Sequence, residues 1–230
     1  MKRFSLLIGS TLLFLAATNY AQVVNWDFNT VDGGWTPAVE SGSPPFSNQW
    51  QWSSPDAAWS VFGNNSSVMT LTSPVVILDT GGWVTFTIHH LFKFERDSDG
   101  GYFRTRIDGG AWTAATNTNI SGTQYNDLDG VSGLSDDPEA FTGVSLGHPS
   151  GAFVTSVLDL GSLAAGQTVQ MQFRAGWDSS FVESGPNWEI DSVAMNVIPE
   201  PQYGGAVVIG LICLMVSRWR LARRRSADHA

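Results

Sequence analysis

Two carboxylates alternate within one short stretch near the end of the chain, Trp188-Glu189-Ile190-Asp191-Ser192-Val193-Ala194. In a β-strand, residues two apart point to the same face, so Glu189 and Asp191 would lie side by side. Retaining hydrolysis of a glycosidic bond needs two carboxyl groups about 5–5.5 Å apart. The stretch therefore offers a pair of carboxylates whose spacing is compatible with glycoside hydrolysis.

This stretch resembles the active strand of laminarinase-type glycoside hydrolases, where a carboxylate nucleophile, a helper Asp and a second Glu alternate on one face. Glu189 and Asp191 match the first two positions. The acid/base position falls on Val193 or Ala194, and neither side chain can donate a proton. We therefore expect a structural strand without catalytic residues. The alternative is a hydrolase that uses Glu189 with an acid from a loop, such as Glu183.

Acidic turns are candidate calcium sites, because calcium prefers six to eight oxygen ligands, many of them carboxylates and backbone carbonyls. Asp97 and Asp99 precede Gly100-Gly101 in one such turn. Asp27 and Asp191 would form another site if the first and last strands are neighbours. Further acids crowd a long loop: Asp127, Asp129, Asp136, Asp137 and Glu139. The clusters lack EF-hand spacing, so the prediction is a structural calcium ion at most, and no other cofactor.

Four of the tryptophans in the first third of the chain form a cluster, at positions 35, 50, 52 and 59. The amphipathic indole ring can stack on a flat sugar face, and it can equally fill the core of a β-sandwich. Trp50 and Trp52 are two apart on one face of an extended segment. If any tryptophan binds glycan, we expect these two to do so.

The last thirty residues contain three parts. Pro199-Glu200-Pro201 comes first, and because proline fixes φ and lacks an N–H, the preceding strand should end there. An uncharged run over 205–216 follows, and 202–219 is just long enough to cross a bilayer, which takes about 17–20 helical residues. Five arginines close the segment: Arg218, Arg220, Arg223, Arg224 and Arg225. Arginines beside a span stay in the cytoplasm, so the rest of the chain should lie outside.

In this order the three parts resemble the PEP-CTERM sorting signal of Gram-negative bacteria, over residues 199–226. The resemblance implies a transient partner, an exosortase, which is a membrane transpeptidase thought to cut near Pro-Glu-Pro. It also implies a bacterium that makes extracellular polysaccharide. The protein would be anchored in the inner membrane by its span and would reach the cell surface or the extracellular matrix after processing. The alternative is an ordinary tail anchor with chance prolines.

The other end of the chain predicts export. Lys2-Arg3, the apolar run 6–17 and the small residue Ala21 fit a signal peptide over residues 1–21. Cleavage after Ala17 is the alternative. Residues 22–198 then form one domain.

This domain is strongly acidic. It carries five basic and nineteen acidic residues, a net charge of −14. A surface this acidic repels nucleic acid and anionic lipid, and it is compatible with divalent cations and neutral glycans. The single cysteine, Cys213, lies in the predicted span, so no disulfide joins two positions of the domain.

Short apolar–polar alternations with a period of two recur through the domain, and a convincing helical period is absent. Two strands should direct three side chains each into the core: Val84, Phe86 and Ile88, and Val169, Met171 and Phe173. Asp108-Gly109 is a strong hairpin-turn signal. The predicted fold is all-β, an antiparallel β-sandwich of the jelly-roll kind, over residues 22–198. The segment 113–151 either hides an edge strand near 141–146 or is a functional loop.

The order of several segments resembles the concanavalin-A-like jelly-roll modules found in MAM domains and beside immune-inhibitor-type metalloproteases. The segments that carry this resemblance are 71–75, 84–90, 107–112, 165–174 and 188–193. Such modules are usually non-catalytic parts of extracellular enzymes or surface proteins. The expected function is therefore an exported, non-catalytic surface or matrix protein that contacts extracellular polysaccharide. The alternatives are the glycoside hydrolase above and a structural surface protein without a ligand.

Overall fold

The computed structural model describes residues 21–54, 56–63, 66–134 and 139–200. Within these ranges the strands are β1 (Gln22–Trp26), β2 (Thr36–Ser41), β3 (Gln51–Ser53), β4 (Ala58–Phe62), β5 (Ser67–Thr72), β6 (Val76–Ile77), β7 (Gly82–Phe92), β8 (Gly100–Ile107), β9 (Thr113–Ala114), β10 (Ile120–Gly122), β11 (Val154–Leu163), β12 (Thr168–Trp177) and β13 (Pro186–Pro199). Short 3-10 turns occur at Phe46–Asn48, Ser132–Leu134 and His148–Ser150. The prediction of an all-β domain is confirmed.

The predicted signal peptide, membrane span and arginine cluster lie almost wholly outside the residues that the structure describes. Residues 1–20 of the signal peptide, Pro201, the span and the arginine cluster are outside the described residues. In the part that is described, no helix has the length and apolar character needed to cross a membrane.

The strands form two antiparallel sheets that pack face to face. Sheet A has the order β10-β11-β7-β13-β4-β3, with β1 also paired to β13. Sheet B has the order β2-β5-β12-β8-β9, with β6 also paired to β12. The chain crosses repeatedly between the two sheets, for example between β4 and β5, between β7 and β8, and between β11 and β12. This alternation is the jelly-roll arrangement of a double-sheet sandwich.

The core lies between the sheets and contains both predicted sets of side chains. All six are at most 1% exposed: Val84, Phe86, Ile88, Val169, Met171 and Phe173. Trp188 packs at their centre, with ring centroids 5.5 Å from Phe173 and 5.9 Å from Phe103. Gly101 leaves room for this ring, because a Cβ atom there would lie 2.3 Å from Trp188.

The register gives the sandwich two different ends. Gln22 pairs with Val197, and Gly82 pairs with Pro199, so both ends of the domain emerge at the same place. We call this the tether end. The loops 93–99 and 178–185 lie at the other extremity of β7 and β13, which we call the loop end. The eleven residues of β7 separate the two ends by about 33 Å, at about 3.3 Å per residue.

The predicted turn at Asp108-Gly109 is also confirmed. Both residues have positive φ, 53° and 66°, and Gly110 donates its N–H to the carbonyl of Ile107 at 2.9 Å. This is the backbone of a type I′ hairpin turn, which connects β8 to β9. Beyond it, the long segment contributes isolated bridges at Phe141 and Val144 near the predicted edge strand.

Candidate metal centre and glycan surface

Three carboxylates meet at the loop end of the sandwich. Glu95 and Asp99 belong to the loop between β7 and β8, and Asp178 directly follows β12. Because Gly100 pairs with Gly176 across β8 and β12, the residues that flank this pair are brought together. One carboxylate oxygen from each of the three acids lies within 4.8 Å of the other two. We call this group the carboxylate cluster.

Asp99 is the buried member of the cluster, with 1% of its surface exposed. Its Oδ1 accepts the backbone N–H of Asp178 at 3.0 Å, whereas its Oδ2 is buried without a hydrogen-bond partner among the described residues. Burial raises the pKa of Asp99 to about 7; the N–H of Asp178 opposes this, and the charges of Asp178 and Glu95 add to it. An unpaired buried carboxylate oxygen is costly, and a bound cation would remove that cost.

Hydrogen bonds fix the other two members, Glu95 and Asp178, and the two loops that carry them. Ser180 Oγ lies 3.0 Å from Glu95 Oε2 and 2.5 Å from Asp178 Oδ1. These bonds from Ser180 lower the pKa of Asp178, which therefore stays ionised. Thr142 Oγ1 lies 3.0 Å from the carbonyl oxygen of Glu95 and 2.9 Å from that of Asp99. The two loops are thus held in place around the cluster.

The donor set fits calcium. All the available ligand atoms are oxygens, which calcium and other hard cations prefer, and carboxylates offset the charge of the ion. Glu95, Asp99 and Asp178 would provide the protein ligands, and water would complete the six to eight positions.

The sequence identified only part of this cluster. Asp99 belongs to it, but Asp97 does not; the backbone N–H of Asp97 donates to Thr142 Oγ1 at 2.9 Å. Glu95 and Asp178 were missed, because about eighty residues separate them and only the pairing of β8 with β12 brings them together. The motif around Asp97 gave no indication of either partner.

The second predicted metal pair has the expected strands but no cluster. β1 does pair with β13, as the prediction for Asp27 and Asp191 required. Asp27 Oδ1 accepts the N–H of Asn29 at 3.2 Å, and Asp191 Oδ2 accepts the hydroxyl of Ser192 at 3.0 Å. Within the described ranges, neither belongs to a group of three potential metal ligands. Metal binding by this pair stays a prediction.

Trp50, which the sequence predicted to bind glycan, lies in the core. Trp50 is only 2% exposed, and its ring centroid lies 6.2 Å from that of Phe173 and 5.9 Å from that of Trp188. A ring packed in this way offers no face to a sugar; it fills the core at the edge of sheet A. The identity of a residue as tryptophan could not distinguish these two roles.

Trp52 is partly exposed and lines an open depression of about 340 Å³. Its indole N–H donates to the carbonyl of Phe28 at 2.9 Å, which fixes the ring. Phe46 beside it is 77% exposed. The depression is lined by Pro37, Phe46, Gln49, Trp50, Gln51, Trp52 and Trp59. We call it the tryptophan depression; its aromatic rings and side-chain amides are the groups that an uncharged sugar can contact.

The carboxylates of the candidate catalytic strand are not arranged as the alternation predicted. The register shifts between Ile190 and Ser192, so Asp191 is the extra residue of a β-bulge. Glu189 pairs with Ser60 and Leu91 in the middle of sheet A, and its pKa is raised by burial and by the charge of Asp56.

Neither candidate position for the catalytic acid places a free carboxyl group beside Glu189 in this structure. Val193, at the acid position of the resemblance, is fully buried. Glu183, the alternative acid, pairs with Lys93 at 2.9 Å.

A match to the Gly-x-Ser-x-Gly pattern of serine hydrolases lies at 143–147 and is structural. Ser145 is 3% exposed, and its Oγ accepts the backbone N–H of Phe92 at 3.2 Å. It lies in a loop rather than on the strand-to-helix turn that exposes a nucleophile.

The described part of the predicted sorting motif, Pro199 and Glu200, lies at the end of the last strand. β13 ends at Pro199, as the proline pattern predicted. Glu200 is exposed, and its Oε1 accepts the hydroxyl of Ser162 at 2.5 Å. Pro201 and the five arginines at 218, 220, 223, 224 and 225 lie outside the described residues.

Comparisons with known proteins give only weak matches. No family model matches the chain, and no curated protein matches it. Among solved structures, the metal-free carbohydrate recognition domain of Emp46p is 11% identical with a TM-score of 0.40, over 74% of this chain and 93% of that one. A family 35 carbohydrate binding module from Clostridium thermocellum is 13% identical with a TM-score of 0.33, over 75% and 97%.

An exo-β-1,3-galactanase from Phanerochaete chrysosporium, solved with galactose, is 11% identical with a TM-score of 0.33. The match covers 76% of this chain and 29% of the galactanase, so the chain spans less than a third of that enzyme. Matches at this level carry no conclusion about ligand or activity.

Proposed function

We propose that this protein is an exported, non-catalytic surface or matrix protein whose jelly-roll domain contacts extracellular polysaccharide. The observation that carries this proposal is the tryptophan depression, where the fixed ring of Trp52 and the exposed ring of Phe46 stand among glutamine amides. A domain with a net charge of −14 favours an uncharged glycan over an anionic one.

Calcium is the proposed structural cofactor, bound by Glu95, Asp99 and Asp178. Support comes from the buried Asp99 Oδ2, which no described group hydrogen-bonds. The ion would join the loop after β7 to the loop after β12 and would stabilise the folded state by mass action.

Export and sorting are proposed from the sequence. The signal peptide would direct the chain out of the cytoplasm, and the span and arginines would hold it in the inner membrane. An exosortase would then cut near Pro199-Glu200-Pro201 and leave the domain at the cell surface or in the matrix. Intact-mass measurement of the exported protein tests this step: in a host with an exosortase, a C-terminus at Ala230 would mean a plain membrane anchor.

A glycan array of the purified chain, with and without calcium, tests polysaccharide contact. We expect retention of uncharged glycans that is lost in Trp52→Ala and Phe46→Ala. Phe181→Ala is the matched control, because Phe181 is 60% exposed and does not line the depression. Binding that survives both changes, or no binding by the wild type, would contradict the proposal.

The second candidate is a glycoside hydrolase that uses Glu189. The observation that bears on it is the raised pKa of this half-buried side chain, which suits a general acid and not the nucleophile of the sequence prediction, since a general acid must hold its proton near the working pH. Turnover of a polysaccharide by the purified chain, abolished in Glu189→Gln, would establish this function. Retention of the glycan without turnover would favour the non-catalytic one.

A further inference from the structure

Three large apolar side chains are exposed together at the tether end, on the outer face of sheet A. Trp83 is 47% exposed, and Val23 and Ile198 are each 60% exposed. Trp83 pairs directly with Ile198, and Val23 pairs with Asn196, which is two residues before Ile198 on the same face. These three side chains form one surface, which we call the tether patch.

The side chains of the tether patch do not belong to the core between the sheets. The neighbouring residues Val84 and Val197 are fully buried and point between the sheets, so the strand alternation places Trp83 and Ile198 outside. A group of exposed apolar side chains of this kind indicates an interaction surface.

The length of the chain beyond the sandwich identifies what lies opposite the patch. Pro199 is still paired with Gly82, and Glu200 is hydrogen-bonded to Ser162. The predicted span begins at Gln202, three residues after Pro199, and three residues reach at most about 11 Å, at about 3.6 Å each. The polar headgroup region of one leaflet is about 5–7 Å thick. The tether end therefore has to lie against the lipid interface while the span is in the membrane.

We propose that Val23, Trp83 and Ile198 seat the domain on the interface of the bilayer that holds the predicted span. Tryptophan suits this position, because its ring is apolar and its N–H can reach water or headgroups. Asp79 and Glu200 line the cavity next to the patch, and they would repel anionic lipid. The partner is therefore a zwitterionic lipid surface.

This contact would orient the anchored protein. The loop end, with its carboxylate cluster, would lie up to about 33 Å from the lipid, and Pro199 and Glu200 would lie at the lipid surface, where the proposed exosortase would act. The inference rests on the predicted span and is independent of glycan binding, so the two fail separately.

Tryptophan quenching in vesicles tests the proposal. The full-length chain is reconstituted into phosphatidylcholine vesicles whose acyl chains carry bromine near the headgroup, which quenches only nearby indole rings. Trp219 of the predicted span gives a constant background. We expect Trp83→Phe to remove a measurable part of the lipid quenching. Trp52→Phe is the control, because Trp52 lies far from the patch. Trp52 pairs with Trp59, which in turn pairs with Ile190. Ile190 is eight residues from Ile198 along β13, or about 26 Å at about 3.3 Å per residue.

A second variant tests the same contact without changing Trp83, in case Trp83→Phe disturbs the fold. Val23→Ser with Ile198→Ser should weaken the lipid quenching of Trp83, expose it to aqueous iodide and leave the near-ultraviolet circular dichroism unchanged. Phosphatidylglycerol in place of phosphatidylcholine should also reduce the lipid quenching. A Trp83 that iodide quenches in wild-type vesicles, and that brominated lipid does not, would overturn the proposal. Shielding from both quenchers that depends on protein concentration would also overturn it and would indicate a second copy of the chain.

Discussion

The two ends of the sandwich are built from opposite kinds of side chain. At the loop end, three carboxylates converge from segments about eighty residues apart, and one of them is buried with an unpaired oxygen. At the tether end, Val23, Trp83 and Ile198 become neighbours through the regular register of β1, β7 and β13. The loop end therefore offers a candidate cation site, whereas the tether end offers an exposed apolar surface.

Because of this difference, changes at the loop end should affect the stability of the fold, and changes at the tether end should affect contact with lipid. A change in the carboxylate cluster should alter the free energy of unfolding, because its members are buried or hold two loops together. A change in the tether patch should alter contact with lipid and leave the free energy of unfolding nearly unchanged. The rows of buried side chains between the sheets join the two ends into one cooperative unit.

Truncation in the shared core should affect both ends at once and give the largest effect. Phe86→Ala should cost about 3–5 kcal/mol, the range for a buried phenylalanine. Thr87→Ala, the next residue on the opposite face of β7, is the control and should cost well under half of that. Urea unfolding measures both. A loss below about 1 kcal/mol for Phe86→Ala would mean that the two ends do not share this core.

Calcium should stabilise the loop end by a smaller amount. A free concentration one hundred times the Kd adds about 2.7 kcal/mol to the free energy of unfolding. Asp99→Asn should abolish this gain and raise the melting temperature in EDTA, because it removes the unpaired buried charge. Asp97→Asn, outside the cluster, should keep the response. The melting temperatures with calcium and with EDTA decide the matter; identical values for the wild type would remove the cation from the account.

Asp99 should make the metal-free protein lose stability, relative to Asp99→Asn, as the pH rises from about 4 to about 7. Folding raises the pKa of Asp99 from its ordinary 3.8 to about 7, so in this range the folded state holds a proton that the unfolded state has lost. The contribution of Asp99 is then greatest below the unfolded pKa and falls as the pH approaches the folded one. Burial lowers the pKa of His90 to about 3, which acts in the opposite direction, so denaturant titrations in EDTA must compare the wild type with Asp99→Asn. The free energy of unfolding of the wild type should fall relative to that of Asp99→Asn across this window, and a difference that does not change with pH would contradict the assignment.

Substitution in the tether patch should give the smallest effect on folding. Trp83→Ser should change the free energy of unfolding in detergent by less than about 0.5 kcal/mol, as for an exposed side chain outside the core. Trp188→Ser, a fully buried tryptophan, is the contrast. If Trp83→Ser cost as much as a core change, the patch would be part of the folding unit and not a contact surface.

The regular part of the fold could be predicted because it is encoded locally. Alternation along β7 and β12 identified the buried side chains of these strands. Asp108-Gly109 identified the hairpin turn between β8 and β9. β2, Thr36–Ser41, was not predicted, because nearly every residue in it is exposed and no alternation marks it. A strand that buries little leaves little pattern to detect.

The candidate sites depend on long-range placement, which a single sequence does not contain. Glu95 and Asp178 meet only because β8 pairs with β12. Trp50 and Trp52 both line the tryptophan depression, but the sequence could not tell that Trp50 is buried in the core. Asp191 was aligned with Glu189 by simple alternation, and a β-bulge breaks that alternation. The patterns thus identified the strands correctly and the roles of individual side chains incompletely.

Isothermal titration of calcium into the metal-free chain tests the central claim most directly. We predict one bound ion per chain, lost in Asp99→Asn and Glu95→Gln and retained in Asp27→Asn. Two ions, one of them lost in Asp27→Asn, would establish a second site beside Asp191. An absence of binding by the wild-type chain would contradict the account of the loop end.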